Sequence, residues 1–558
     1  MDFLSPYLRW DSLSSFIVLA IGLFTLLAVI YSSKFMRGKK NLWQYYLWII
    51  LTSLCSTGAV LSNHLILLLV FWGFLGLTLY LLINFGEDSS SAAKKTFIIV
   101  GGSDCLMLLG IGIIYYLTGT FQIDKIKIPL TPKNLNTLIP TFAYLCLAIA
   151  SFAKAGCMPF HSWIPDCAEF APIPVTAFLP ASLDKLLGIY LLARISMDLF
   201  VLNPAMNLFL IIIGAITVLA AVMMALIQHN LKRLLGYHAV SQVGYMVLGI
   251  GTANPVGIAG GLFHMLNNAI YKSCLFLSGG AVEYRKETSE LDKLGGLAKT
   301  MPVSFICCLI ASLSISGVPP FNGFVSKWMV YQGLISVCSS QYLVYRVLVI
   351  LCLVAAMFGS ALTLASFMKL IHATFLGQRY NTITQEHYDD VSWKMLLPQI
   401  ILAFLCILFG VFAFQIPLKY FIFPSLSTYQ LINLSTSLGF WTPSLATGLI
   451  LIGLLFGLIF YSLSKIKIRE DSTFIGGEEL SSEERYSGVE FYQTIKDLRF
   501  FKNIYEKAEN KYFDIYDQIR RFISFITLKL QHLHNGVLPT YLVWCLLGMV
   551  VLFWVLRY

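Results

Sequence analysis

Charge is scarce in this chain. Only 12% of its 558 residues are Asp, Glu, Lys or Arg, against about 25% in a typical soluble domain. Acidic residues are the rarer sign, 29 against 39 basic ones. With 57% hydrophobic residues and a mean hydropathy of +0.75, the shortage excludes an ordinary soluble enzyme and indicates a polytopic membrane protein. Paired cysteines are also lacking: the 12 cysteines are scattered, mostly within apolar runs, with no CxxC pair. The adjacent Cys307 and Cys308 do not easily share a tetrahedral site and read as small core residues, so neither a disulfide framework nor a metal cluster is expected. A cleavable leader is not apparent either. The first apolar run, about 14–33, is long enough to span and is followed by charge rather than a small-residue cleavage site. The formal charge of +10 fits basic loops on one membrane face better than nucleic-acid binding.

Runs of near-spanning length recur about 14 times: 14–33, 43–62, 63–84, 95–117, 136–156, 172–197, 205–228, 237–251, 257–281, 303–336 (broken), 343–372, 395–416, 443–464 and 539–557. Lys34, Arg37, Lys39 and Lys40 follow the first run, Lys94 and Lys95 precede the fourth, and Lys232 and Arg233 precede the eighth. Arg285, Lys286 and Lys293 follow the ninth, and Lys465, Lys467 and Arg469 follow the thirteenth. Alternating crossings put all five groups on one side, which the positive-inside rule makes cytoplasmic, with both termini outside. Lys125, Lys127 and Lys133 then fall outside, a mild exception.

Between about 466 and 538 charge becomes frequent, and Phe474–Gly488 is polar. Leu498, Phe501, Tyr505, Ala508, Tyr512, Ile515, Ile519, Phe522 and Ile526 then recur at spacings of three and four, the stripe of one amphipathic helix. About 40 residues at about 1.5 Å each reach roughly 60 Å, more than a bilayer's thickness. The pattern predicts a long lateral helix followed by a final anchoring span.

Against this apolar background, Lys154, Lys185, His264, Lys272 and Lys327 stand out, each within or at the edge of a hydrophobic segment. A cation near a bilayer centre costs at least ~2.5 kcal/mol, so such residues face a protein interior or a water path unless they snorkel to the interface. The segment Lys154-Ala-Gly-Cys-Met-Pro159-Phe-His-Ser-Trp-Ile-Pro165-Asp166 begins as a span and must break near Pro159. Ser314-Ile-Ser-Gly317-Val-Pro319-Pro320-Phe-Asn-Gly-Phe-Val-Ser-Lys327 repeats the idea, and two broken helices with one lysine each suggest two repeated halves. His264, Asn268 and Lys272, at i, i+4 and i+8, share one helix face. That stripe suits proton passage through intervening water, or polar glue between helices. Asp184 and Lys185 diverge by about 100° on a helix and need not pair. Asp104, early in the fourth run, is a candidate partner for a lysine of another helix. Tyr237-His-Ala-Val-Ser241-Gln242-Val-Gly244-Tyr245 is unusually polar and small for a span.

Taken in order, these segments, with Ala171-Pro-Ile-Pro-Val175, Asn230-Leu-Lys-Arg-Leu-Leu-Gly-Tyr237 and Leu294-Gly-Gly-Leu297, resemble the antiporter-like subunits of respiratory complex I. Their relatives include membrane subunits of energy-converting hydrogenases and formate hydrogenlyases, and multisubunit cation/proton antiporters. The resemblance covers roughly residues 60–380. It implies an all-α, inverted-repeat antiporter-like fold with about 14 transmembrane helices, two of them broken. Lys154 looks like the lysine of the first broken helix, whose proton affinity a carboxylate switches. Lys185 and His264 look like parts of a connecting chain, Lys272 lies further along it, and Lys327 looks like the terminal lysine of the second half-channel. The late amphipathic helix and last span are similar to the lateral helix and anchor of the family's distal subunit, and Gln531–Trp554 is closer to the hydrogenase-linked branch.

Two departures stand out. The family carries a glutamate after a tryptophan in an early helix, as partner of the first lysine, whereas this chain reads Phe71-Trp72-Gly73-Phe74. That position lies in the third run rather than the fifth, so about two N-terminal spans are missing relative to the family. Either Asp104 or Asp184 replaces the glutamate, or the first half-channel is modified or dead. Histidines expected near Pro180 and at Asn268 are also missing.

The resulting expectation is a proton- or Na⁺-translocating membrane subunit of a redox-driven complex, without a cofactor of its own. Its partners would be other membrane subunits, a peripheral redox module and the lipid of a cell (inner) membrane, not nucleic acid. Alternatives are an antiporter or proton-coupled module for a non-redox partner, such as an inorganic-carbon uptake complex, or a structural subunit with a vestigial channel. Five regions are expected: 1–62 N-terminal helices, 63–380 translocating core, 381–465 further spans, 466–538 polar loop and lateral helix, and 539–558 anchor.

Overall fold

The computed structural model describes residues 6–130, 138–338, 342–377, 390–426, 442–463, 488–534 and 536–557. The basic residues at Lys133 and Lys465–Arg469, and most of the polar run from Phe474, lie outside them. The chain divides into two units, Met1–Asp497 and Leu498–Tyr558.

The first unit runs through α1 (Ser12–Phe35), α2 (Leu42–Leu61), α3 (Leu65–Ile83), α4 (Ser90–Thr118), α5 (Leu138–Ala155), α6 (Trp163–Phe170), α7 (Ile173–Phe178) and α8 (Asp184–Ala193). It continues through α9 (Pro204–Leu226), α10 (Leu231–Gly251), α11 (Pro255–Lys286), α12 (Pro302–Ser316), α13 (Asn322–Val337), α14 (Leu343–Ile371), α15 (Trp393–Val411), α16 (Pro443–Leu463) and the short α17 (Gln493–Asp497). The second unit holds α18 (Arg499–Glu509), α19 (Ile515–Leu533) and α20 (Leu538–Leu556). Among the described residues, strand is confined to a two-residue parallel pair, Ile128–Pro129 with Phe200–Val201.

Among the described residues, 11 helical stretches are long and apolar enough to cross a membrane. They coincide with 11 of the runs read from the sequence. The other three runs fall on α10, α11 and the α12–α13 pair. α10 and α11 are long enough but rich in polar side chains, while α12 and α13 are short because they are halves of one broken helix. Both α10 and α11 are buried along most of their length, so protein rather than lipid surrounds their polar groups.

Loop contacts assign the helix ends to two faces. On one, Arg9 N donates to Leu61 O, Leu65 N to Phe121 O, and Leu130 N to Val201 O, at 2.8–3.0 Å. On the other, Lys39 pairs with Glu87, Lys95 with Asp166 and His229 with Asp292, and Arg285 donates to Asp390 O. The basic groups after α1, before α4, before α10 and after α11 therefore share one face. α5–α6 runs from the first face to this basic face. α12 starts at the basic face, where Asp390 accepts from Val303 N, and α13 returns to the first, where Gly333 O accepts from Asn254. The two broken helices thus run in opposite directions.

α9, α10 and α11 approach backbone to backbone. A Cβ on Gly244 would stand 2.5 Å from Gly214 O, and one on Gly249 would stand 2.7 Å from the Gly261 Cα. Only glycine permits that spacing.

In the second unit the expected single long helix is two. α18 ends before Lys511, whose φ of +56° is left-handed, and the Asp514 side chain caps α19 by accepting from Tyr516 N at 3.0 Å. The apolar spacing continues through the break, which is why the periodicity alone does not reveal it.

Candidate functional site

The first helix break builds the first half of the site. α5 ends at Ala155, Gly156 takes φ +79°, and Pro159 keeps the chain from resuming a helix before Trp163. The Trp163 indole donates to Ala153 O at 2.9 Å and ties the two halves together. Lys154, in the last turn of α5, is fully buried. Its Nζ lies 3.3 Å from Asp184 Oδ1 and 5.8 Å from the centre of the Trp72 ring.

Asp184 is placed by a π-helical turn, Leu179–Leu183, that contains Pro180 and leads into α8. A proline within a span frees a backbone acceptor, and the wider turn rotates the helix beyond it. Lys185, the next residue, points elsewhere: its Nζ lies 5.8 Å from the Trp163 ring and 3.4 Å from where a Gly156 Cβ would stand. The two adjacent charges thus diverge as their helical positions require, one onto Lys154 and the other onto the broken backbone.

Of the two candidate partners for Lys154, Asp104 is not ion-paired to it. It is half-buried on α4, and its Oδ2 lies 3.7 Å from where a Gly76 Cβ would stand, against α3. Position 73 is no site for the family's glutamate here. Gly73 is exposed, with nothing within 4 Å of a Cβ built on it, and the preceding Trp72 is the residue turned toward Lys154.

α11 carries the middle. His264, Asn268 and Lys272 are all fully buried. His264 Nδ1 lies 2.9 Å from Ser326 Oγ on α13, and its Nε2 lies 3.1 Å from Gln242 Oε1 on α10. Asn268 donates to Ala181 O, in the π turn before Asp184, at 3.3 Å. Lys272 Nζ donates to Leu235 O on α10 at 2.8 Å and stands 5.6 Å from the Phe367 ring. The stripe therefore joins the π turn before Asp184 and α13 to α10.

The second break mirrors the first. α12 ends at Ser316, Gly317 takes φ +81°, Pro319 and Pro320 come next, and α13 begins at Asn322. The Ser314 hydroxyl donates to Asn322 Oδ1 across the gap, and Asn267 of α11 donates to Asn322 O at 3.0 Å. Lys327 is buried, and its Nζ donates to Ile315 O at 2.8 Å and to Ser360 Oγ at 3.0 Å, under the Tyr245 ring at 4.8 Å.

All seven residues singled out from the sequence lie in the first unit. Lys154, Asp184, Lys185, His264, Lys272 and Lys327 line one buried band, and Asp104 lies at its edge. His238 and Lys369, both fully buried, were not singled out. The only sequence signal for His238 was the polar run from Tyr237 to Tyr245. Lys369 resembled an ordinary interfacial lysine near a helix end. Also missed were ion pairs at the two faces. Asp166 meets Lys95 at 2.7 Å and Arg233 at 3.6 Å, and Arg194 meets Asp11 at 2.7 Å and Asp198 at 2.8 Å. Burial works to raise the Asp11 carboxyl, but the Arg194 and Arg9 guanidiniums and the Ser14 N–H outweigh it and hold the group at about 2.

The side chains of the band are of types that accept and release protons, and all are buried within the protein rather than facing lipid. Among the described residues, no three His, Cys, Asp or Glu side chains gather as a metal site.

Residues 62–359 match the family model described as NADH:quinone oxidoreductase/Mrp antiporter, transmembrane. The chain is similar to a Na⁺/H⁺ antiporter subunit A1 of Staphylococcus epidermidis, 32% identical over 69% of this chain and 50% of that protein. It is also similar to the chloroplastic NAD(P)H-quinone oxidoreductase subunit 5 of Chaetosphaeridium globosum, 30% identical over 81% of this chain and 69% of the other. The chain thus spans about half the length of the antiporter relatives it matches. In fold it is similar to a chain of the membrane-bound sulfane sulfur reductase, an archaeal respiratory membrane complex (TM-score 0.79, 22% identity, covering 98% and 89% of the two chains). It is likewise similar to a chain of the Mrp complex from Dietzia sp. DQ12-45-1b (TM-score 0.68, 22% identity, covering 76% and 84%).

Proposed function

The chain belongs to the NADH:quinone oxidoreductase/Mrp antiporter family, and on that premise we propose that it is an ion-translocating membrane subunit of a larger, redox-driven assembly. Protons, or Na⁺ in their place, move along the band from Lys154 and Asp184 through Lys185, Lys272 and His264 to Lys327. The observation that carries this reading is the Lys154–Asp184 pair at 3.3 Å, fully buried beside a helix break. An ion pair in a low-dielectric interior is poorly stabilised by its surroundings, so a small displacement changes which partner holds the proton. A buried lysine that can lose its proton is a carrier, and the mirrored break at Lys327 supplies its counterpart.

Fourteen crossings, with the basic face cytoplasmic and both termini outside, complete this reading. It assigns the C-terminal helices to lateral attachment and anchoring beside neighbouring membrane subunits, and places the electron chemistry in a peripheral module. The antiporter relatives support a second reading, in which a cation gradient rather than a redox reaction is coupled to the same band.

The test is Lys154→Ala in membrane vesicles holding the native assembly. Coupled transport disappears while the assembly persists on a native gel; unchanged ion movement would sink the assignment. Mass spectrometry of the proteins that copurify in mild detergent separates the two readings, since redox subunits favour the first and their absence the second.

A further inference from the structure

We propose that His238, Ser366 and Lys369 form a side branch that feeds protons into the band from the basic face, with His238 as the junction. The proposal rests on the translocation reading above and adds an inlet to it.

His238 sits midway along α10. One turn before it, Leu235 O holds Lys272; one turn after it, Gln242 Oε1 holds His264. His238 therefore stands between the anchor points of two members of the band. Its Nε2 lies 2.7 Å from Ser366 Oγ on α14. Its Nδ1 is buried and has no hydrogen-bond partner among the described residues, leaving one nitrogen engaged by the branch and the other open within the protein.

Ser366 and Lys369 are three apart on α14 and so share a helix face, and the branch places water between them. Lys369 is fully buried, yet its Nζ donates to Leu226 O at 2.8 Å and Gln228 O at 2.9 Å, where α9 ends at the basic face. The next residue, His229, is exposed and pairs with Asp292 at 3.0 Å. The line from His238 to Lys369 thus leaves the band sideways and ends one residue from water.

The step balances without a co-reactant. The Lys369 ammonium passes a proton toward Ser366 as the Ser366 hydroxyl proton moves to His238 Nε2. The imidazolium releases its Nδ1 proton toward Lys272 when that amine is unprotonated, and proton exchange through water, Nε2 losing its proton as Nδ1 regains one, restores the starting tautomer. Lys369 reloads from the basic face. Only N–H and O–H bonds form and break.

A simpler role for Lys369 is to cap the α9 C-terminus with its charge. Arginine separates the two, because it donates and stays charged but does not give up its proton. Proton uptake is measured by pH-sensitive dye quenching in vesicles carrying the whole assembly, for Lys369→Arg, Ser366→Ala, Ser366→Thr, His238→Gln and the reference Lys327→Ala. The expected result is a fall of about 10-fold or more in Lys369→Arg, Ser366→Ala and His238→Gln at wild-type assembly, with Ser366→Thr close to wild type. Wild-type rates in Lys369→Arg would reduce Lys369 to a cap, and wild-type rates in Ser366→Ala and His238→Gln would overturn the branch. If Lys369→Arg fails to assemble, the two milder variants decide. Undiminished transport in Lys327→Ala as well would overturn the translocation reading itself.

Discussion

Lys154 and Asp184 meet at 3.3 Å because two interrupted helices meet: one side chain ends α5, the other begins α8 after a π turn. Among the described residues, neither charge has another ion-pair partner within 4 Å. Asp184 Oδ2 and Lys154 Nζ also lack hydrogen-bond partners there by geometry, so each depends on the other.

Asp184→Asn should therefore be the most damaging single change at the carboxylates. Removing one member of a buried pair costs about 3–5 kcal/mol when the other stays charged, and Lys154 escapes that cost only by losing its proton. Transport falls to background while Asp104→Asn retains most of it. Parallel vesicle assays and thermal unfolding of both variants check the ranking; equal losses would reinstate Asp104 as a partner.

Restoring the family's glutamate should not help. Position 73 faces outward with open space around it. Gly73→Glu in the Asp184→Asn background is expected to leave transport at the level of Asp184→Asn alone. Recovery of ion movement in the double variant would mean that α3 rotates in the working protein.

Gly188, one turn after Asp184, lies against α5 beside Lys154, where an added Cβ would stand 2.6 Å from Ala155 N and the Ser151 hydroxyl donates to Gly188 O at 2.7 Å. Gly188→Ala forces α5 and α8 apart. Overpacking of this kind costs about 1–3 kcal/mol, and it stretches the Lys154–Asp184 contact as well. A lowered unfolding temperature together with reduced transport is expected, and a neutral result would show that the helices yield freely there.

The sign of the Asp11 effect is fixed by its depressed carboxyl, held at about 2 against an ordinary value of about 3.9. A group depressed on folding stabilises the protein above the unfolded value and loses that contribution as pH falls through the folded one. The stability gap between wild type and Asp11→Asn should be constant above about pH 5 and close as pH approaches 2. A gap that widens on acidification would contradict the assignment. Unfolding followed by intrinsic fluorescence across that range gives the answer.

The lysines were legible in the sequence because a cation inside an apolar run is anomalous whatever the fold, and Lys154, Lys185, Lys272 and Lys327 are all buried. The breaks were legible because Pro159 and Pro319–Pro320 interrupt otherwise helical runs. Which carboxylate meets Lys154 was not, since that depends on the rotation introduced at Pro180 and is invisible to spacing. His238 escaped notice because its partner, Ser366, lies 128 residues away on another helix and neither residue type is unusual alone. The break at Lys511 was hidden by an apolar rhythm that runs through it unchanged.

The glycine contacts binding α9 to α10 and α10 to α11 have a mechanical consequence. Backbones already touching have no slack through which one helix can slide or tilt against the next. α10, which presents Leu235, His238 and Gln242 to the band, is a fixed rail. In the proposed pathway, timing then belongs to side chains rather than helices, through the hydrogen bonds that His264, Lys272 and Lys327 must break to move. The gate of such a device is a few torsion angles wide.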